Sequence, residues 1–156
     1  MPPDTIATVM MALEHSALGG AARGTGWLYP LANLAHVLGA ALLVGAIATF
    51  DIQVLRRPAG PISRTAIPVA IFGFFVQATS GIVLLSAEAS KLSHNPAFQF
   101  KMALLVVALA NVAVFHWRFG RALEADGPLD GARTLAAVSL ASWVLVLLAG
   151  RSIAYL

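Results

Sequence analysis

The stretch that decides the fold runs from Leu31 to Arg57, LANLAHVLGAALLVGAIATFDIQVLRR. Nearly all of it is apolar. As a helix rising ~1.5 Å per residue it is long enough to cross the ~30 Å hydrocarbon core of a bilayer. His36 lies inside the run, Asp51 closes it, and Arg56-Arg57 follows at once. Working outward, comparable runs recur, and the spans fall at about 31–55, 66–87, 98–119 and 132–149. The expected fold is all-α: a polytopic membrane protein, an antiparallel four-transmembrane-helix bundle filling 1–156 as one domain, with a short N-terminal interfacial helix.

Composition agrees. Hydrophobic residues make up 59% of the 156-residue chain and charged residues only 11%, against ~25% charged in soluble domains. The mean hydropathy is +0.82. A pI near 10 comes from a formal charge of only +3 with the basic residues at helix ends, a pattern that sets topology and does not suit nucleic-acid binding. With no cysteine, disulfides, thiolate metal sites and cysteine-ligated iron–sulfur clusters are excluded.

At the N-terminus Asp4 is placed to cap a helix over 5–18, whose apolar stripe Ile6, Val9, Met10, Leu13 and Ala17 suits a helix lying on the bilayer, stopped by Gly19-Gly20. Trp27 and Tyr29 mark an interface, and Pro30 suits a first helical turn. The connections are the basic RRPAGPISR, then EASKLSHNPAFQF with a turn and restart at Asn95-Pro96, then a polar loop holding Gly127-Pro128. Pro68 is read as lying in the first turn of span two. Arg56, Arg57, Arg64, Arg118, Arg121 and Arg133 gather beside two of these loops, whereas Arg23, Lys91, Lys101 and Arg151 are spread over the opposite side. The positive-inside rule therefore puts the arginine-rich loops in the cytoplasm and both termini outside.

An ionisable residue inside a span is a functional hypothesis, because leaving it unpaired there is costly. His36 is the first such residue. Positions 36, 39/40, 43 and 47 share a helical face, so the small Gly39 and Ala40 leave space for a neighbouring helix or a flat ligand. The alternative is a neutral histidine hydrogen-bonded between helices. Lys101 and Arg151 fall at a similar depth, where they either snorkel to the interface or face the acidic groups of a ligand such as haem propionates. Asn33, one turn before His36, is a candidate to orient its ring.

His116 lies fifteen residues beyond Lys101, ~22 Å deeper along the helix, so His36 and His116 cannot ligate one iron. His94 sits in the loop above. Met10, Met11 and His15 form a possible copper(I) set, thioether with imidazole. Gln77, Asn111, Ser139 and Ser142 read as hydrogen-bond glue between helices, and Gly39, Gly45, Gly73 and Gly81 as points of close helix contact. No phosphate-binding glycine loop, catalytic triad or HExxH motif is present.

Three segments, WLYPLANLAHVLGAALLVGAIATFDIQVLR, NPAFQFKMALLVVALANVAVFHWR and SLASWVLVLLAGRSIAYL, resemble an uncharacterised bacterial family of four-span membrane proteins. A histidine early in span one with a lysine opening span three is also similar to the copper-resistance D family and to the haem-associated protoporphyrinogen oxidase membrane family. The resemblance implies roles for His36 and Lys101 only, because the rest of the oxidase pattern is not matched. The expectation is a small b-type haem-binding or redox subunit of the bacterial inner membrane. Its site would lie near the outer face between spans one, three and four, with His36 as iron ligand and Lys101 and Arg151 at the propionates. A cofactor-free structural or assembly subunit and a copper-handling protein are the alternatives. The partners expected are the lipid bilayer and either further copies of the chain or a larger membrane complex. Whether the chain is an enzyme stays open.

Overall fold

The computed structural model describes residues 5–56, 63–124, 129 and 131–155, and among these every regular element is helical. The elements are α1 (Thr5–Glu14), α2 (Ala17–Gly24), α3 (Leu28–Arg56), α4 (Ser63–Ala87), α5 (Ala89–Ser93), α6 (Pro96–Glu124) and α7 (Arg133–Ser152). The expected Asp4 cap, most of the RRPAGPISR loop and the Gly127-Pro128 turn lie outside the described residues.

Four helices are long and apolar enough to cross a bilayer, as the sequence predicts. This is a membrane protein. Helices α3 and α6 have 29 residues each, ~44 Å at 1.5 Å per residue, so both outrun the hydrocarbon core and extend past their expected ends. Helix α4 starts at Ser63, so Pro68 lies inside it and not in its first turn. Its missing N–H leaves one rung out of the helical ladder near that end.

The large apolar side chains point outward: Leu34, Val37, Leu38, Phe72, Phe75, Val106 and Leu148 are all exposed. Inside, alanine dominates, with Ala32, Ala66, Ala108, Ala132, Ala136 and Ala149 buried. Lipid tails are as apolar as leucine, so nothing drives leucine inward, and small residues that bring backbones together hold the helices by close packing. Two clusters finish the core. Leu43, Val44, Ala108 and Trp143 form one. Val54, Phe115, Leu129, Ala132 and Ala136 form the other, with Phe50 and Phe115 edge to face at 5.5 Å.

Helix α3 packs along α4 on one side and α7 on the other, and α7 packs along α6. No extensive backbone packing joins α4 to α6, although they are consecutive spans. The bundle is thus open along that side.

The N-terminal region corrects the expectation of one helix over 5–18. The chain breaks at His15-Ser16, and Ser16 caps a second helix by accepting from Gly19 N at 3.2 Å. Gly19-Gly20 does not end a helix but lies within α2. A Cβ on Gly19 would come within 2.6 Å of the Ser86 carbonyl oxygen, so glycine is what lets α2 dock on the end of α4. There Arg23 donates to the carbonyls of Ser86 and Ala87 at 3.4 and 3.2 Å, satisfying orphan acceptors at a helix C-terminus. The expected loop between α4 and α6 contains α5, and Asn95 Oδ1 caps α6 by accepting from Phe98 N at 3.0 Å.

Glu14 joins α1 to α5 by accepting from Ser90 N at 2.7 Å. Hydrogen bonding from Ser90, through its side chain and its backbone, holds the Glu14 carboxyl below its ordinary value of 4.5. A carboxyl depressed by folding adds stability above its unfolded pKa and loses it as pH falls through the folded one. Docking of α1 on α5 should therefore be intact above pH 4.5 and loosen below it. The Ser90 amide chemical shift checks this: it should titrate in that acid range in the wild type and stay flat in Glu14→Gln.

Candidate functional site: His36 between α3 and α4

Helices α3 and α4 cross at Gly39 and Gly73. A Cβ on Gly39 would lie 2.8 Å from Gln77 N, and one on Gly73 would lie 2.5 Å from Leu43 N. The space that Gly39 leaves beside His36 is therefore taken by the backbone of α4. On α4, Gly73, Gln77 and Gly81 stand four residues apart and share the face turned to α3. Gly81 lies against the imidazole, where a Cβ would be 3.1 Å from His36 Cε1. Three of the four glycines singled out by sequence make close contacts; Gly45 has open space around it.

Both ring nitrogens of His36, which is half-buried, are engaged by α4. Nδ1 is 3.1 Å from Ser80 Oγ, and Nε2 is 2.9 Å from Gln77 Nε2. The directions of these bonds follow from the partners. Ser80 spends its single hydroxyl proton on Val76 O at 2.5 Å, so towards His36 its oxygen accepts. Nδ1 then carries the ring proton and Nε2 the lone pair, which receives the Gln77 amide N–H. The Gln77 Oε1 is buried with no hydrogen-bond partner among the described residues.

Lys101, expected beside His36, is half-buried on α6 at this end of the bundle. Its side chain lies over Gly150 of α7, 3.5 Å from where a Cβ would be. Arg151 and Asn33 are not gathered in. Arg151 is exposed and donates to Tyr155 Oη at 2.7 Å, its guanidinium 5.0 Å from the ring centroid. Asn33 is exposed on α3, and the acceptor it was expected to supply is Ser80. His36 is thus held chiefly by span two, which the expected site between spans one, three and four leaves out.

The other histidines lie elsewhere. His94 is exposed and pairs with Ser90 O at 2.9 Å, not with His36. His116 is exposed and donates through Nδ1 to Val112 O at 3.0 Å. His15 is exposed, and no three His, Asp or Glu side chains gather as a metal site among the described residues.

The expected polar layer divides. Gln77 belongs to the His36 site. Asn111, buried, donates to Leu135 O at 3.1 Å and so ties α6 to α7. Asn111→Leu should cost about 0.6 kcal/mol, the average for such intramembrane bonds, in detergent unfolding, with the His36 environment unchanged. Ser142 turns back to Val138 O at 2.7 Å within its own helix. Ser139 is buried and lines a cavity together with Asp51. Asp51 itself, expected at a membrane boundary, is buried at 3% exposure.

No family model, no curated protein and no solved structure matches the chain. Function has to be argued from the site.

Proposed function

We propose that this protein is a small haem-binding or redox subunit of the bacterial inner membrane, in which His36 Nε2 is the iron ligand. The observation that carries the reading is the fixed tautomer. Ser80 takes the Nδ1 proton and leaves the lone pair on Nε2, the arrangement found where a histidine binds a metal through one nitrogen and is oriented through the other. Lys101, half-buried at the same end of the bundle, would supply a cation for an acidic edge group, and the orphaned Gln77 Oε1 means the cluster is not self-satisfied. Gln77, which donates to Nε2, is the residue a ligand would displace. Bound haem b would supply one-electron chemistry at this position. A single histidine ligand is what the residues offer, since His94 and His116 are placed elsewhere.

A cofactor-free structural subunit is the competing reading, favoured by the engagement of both His36 nitrogens inside the bundle. An absorption spectrum of protein purified from haem-supplied cells separates the two: a Soret band supports the first reading, and its absence the second.

On this proposal both termini face the periplasm, following the arginine distribution, and the lipid-facing helices pack with further copies or with a larger complex. Single cysteines at the exposed positions Thr65 and His94 should then label from opposite sides of intact cells, His94→Cys from outside and Thr65→Cys only after permeabilisation. Labelling of both from outside would reject the topology.

A further inference from the structure

A second site lies in the other half of the bundle. Asp51 is fifteen residues beyond His36 on α3, ~22 Å along the axis, and lines a cavity of about 360 Å³ between α3, α4, α6 and α7. That volume is in the range of small-molecule sites, ~300–1,000 Å³. The walls are apolar and include the rings of Phe50, Phe74 and Phe115. The exposed Phe75 and Leu109 stand at the rim, on the side where α4 and α6 fail to pack. A ligand that reaches this cavity from that side comes out of the lipid.

Among these walls two buried polar atoms lack partners among the described residues: Asp51 Oδ2 and Trp143 Nε1. Asp51 is 3% exposed and Trp143 2%. Asp51 Oδ2 is left without a hydrogen-bond partner, which a hydroxyl supplies whether the oxygen accepts or donates. Trp143 N–H needs an acceptor. An acyl chain satisfies neither atom. An ammonium has donors only and a ketone acceptors only, whereas a hydroxyl group both donates and accepts. Burying such groups unpaired is costly, so a ligand that pairs them gains affinity over one that only fills the space.

We propose that this cavity binds a membrane-dissolved ring compound bearing a hydroxyl group, of the long-tailed phenol or hydroquinone class. The ring lies among the phenylalanines, the hydroxyl reaches Asp51 and Trp143, and the tail leaves between α4 and α6 into the lipid. Asp51, Ser139 and Trp143 act here as binding residues, independently of His36.

The test uses full-length protein in lipid nanodiscs with Trp27 and Trp117, both largely exposed, replaced by phenylalanine so that Trp143 reports alone. Titration with 4-decylphenol and with decylbenzene compares two probes that differ by one hydroxyl. At equal mole fraction in the membrane, 4-decylphenol should bind at least ~10-fold more tightly, as expected of a hydrogen bond to a charged or buried group. In Asp51→Asn the preference should shrink, and in Asp51→Leu it should vanish while decylbenzene still binds. Equal binding of the two probes to the wild-type site overturns the proposal in favour of an acyl-chain cavity. Tighter binding of decylamine than of 4-decylphenol overturns it in favour of a cationic amphiphile. Because the wild-type comparison decides by itself, a variant that fails to fold does not remove the test.

Discussion

His36→Ala is expected to abolish haem binding altogether, the largest functional effect of any single substitution in this chain. His36 is the half-buried histidine between two spans, with its lone pair at Nε2, whereas His15, His94 and His116 are exposed. Ser80→Ala should weaken binding by about 10-fold or more without abolishing it, because losing the acceptor of a ligating histidine's second nitrogen typically costs 10–100-fold in affinity. Lys101→Ala should weaken binding further at low salt than at high salt, since the charge it supplies is screened. Asn33→Ala and His116→Ala should leave haem content unchanged. Haem lost only in His116→Ala would put the ligand at the opposite end of the bundle and return His36 to a hydrogen-bonded helix contact.

The largest structural effect is expected from Gly73→Val. A Cβ at this position would lie 2.5 Å from Leu43 N and 3.0 Å from Gly39 O, both backbone atoms that cannot rotate away. Helices α3 and α4 would have to separate at their crossing, taking Gln77 and Ser80 off His36. Overpacking a tight contact costs about 3 kcal/mol at the upper end of its usual range, read as a loss of stability in detergent unfolding. Gly45→Val is the matched control. A Cβ there meets nothing within 4 Å, and the substitution should change stability by under about 0.5 kcal/mol. Equal effects at the two positions would mean that the Gly39–Gly73 crossing does not hold the bundle.

The four spans were legible in the sequence because long apolar runs leave few alternatives in a bilayer. His36 and Lys101 were legible too, since a charge or imidazole within such a run stands out. Gln77 reads as generic glue in the sequence and Ser80 does not stand out, because their role depends on the register of α4 against α3, which no pattern within either helix states. A signal was nonetheless present: Gly73, Gln77 and Gly81 repeat every four residues, and that face needs a partner in close contact. Asn33 was preferred because it is near His36 in sequence, whereas its true partner lies 44 residues away. Asp51 was placed at the boundary by the arginines that follow it. Its burial comes from α7, the last helix in the chain, which slots beside α3 where a simple sequential bundle would not put it. Gly19 was misread for a different reason. Glycine ends helices through its backbone freedom, but here it serves by having no side chain where α2 meets Ser86.

The central claim is that Ser80 fixes the His36 tautomer so that the Nε2 lone pair, which Gln77 now occupies, binds iron once Gln77 is displaced. Nitrogen NMR of histidine-labelled protein in lipid, with His36 assigned by its loss in His36→Gln, tests it most directly. The account predicts a protonated Nδ1, an unprotonated Nε2, and disappearance of the His36 resonances alone when ferric haem is added. A protonated Nε2, or a His36 signal that persists unchanged beside added haem, would contradict it.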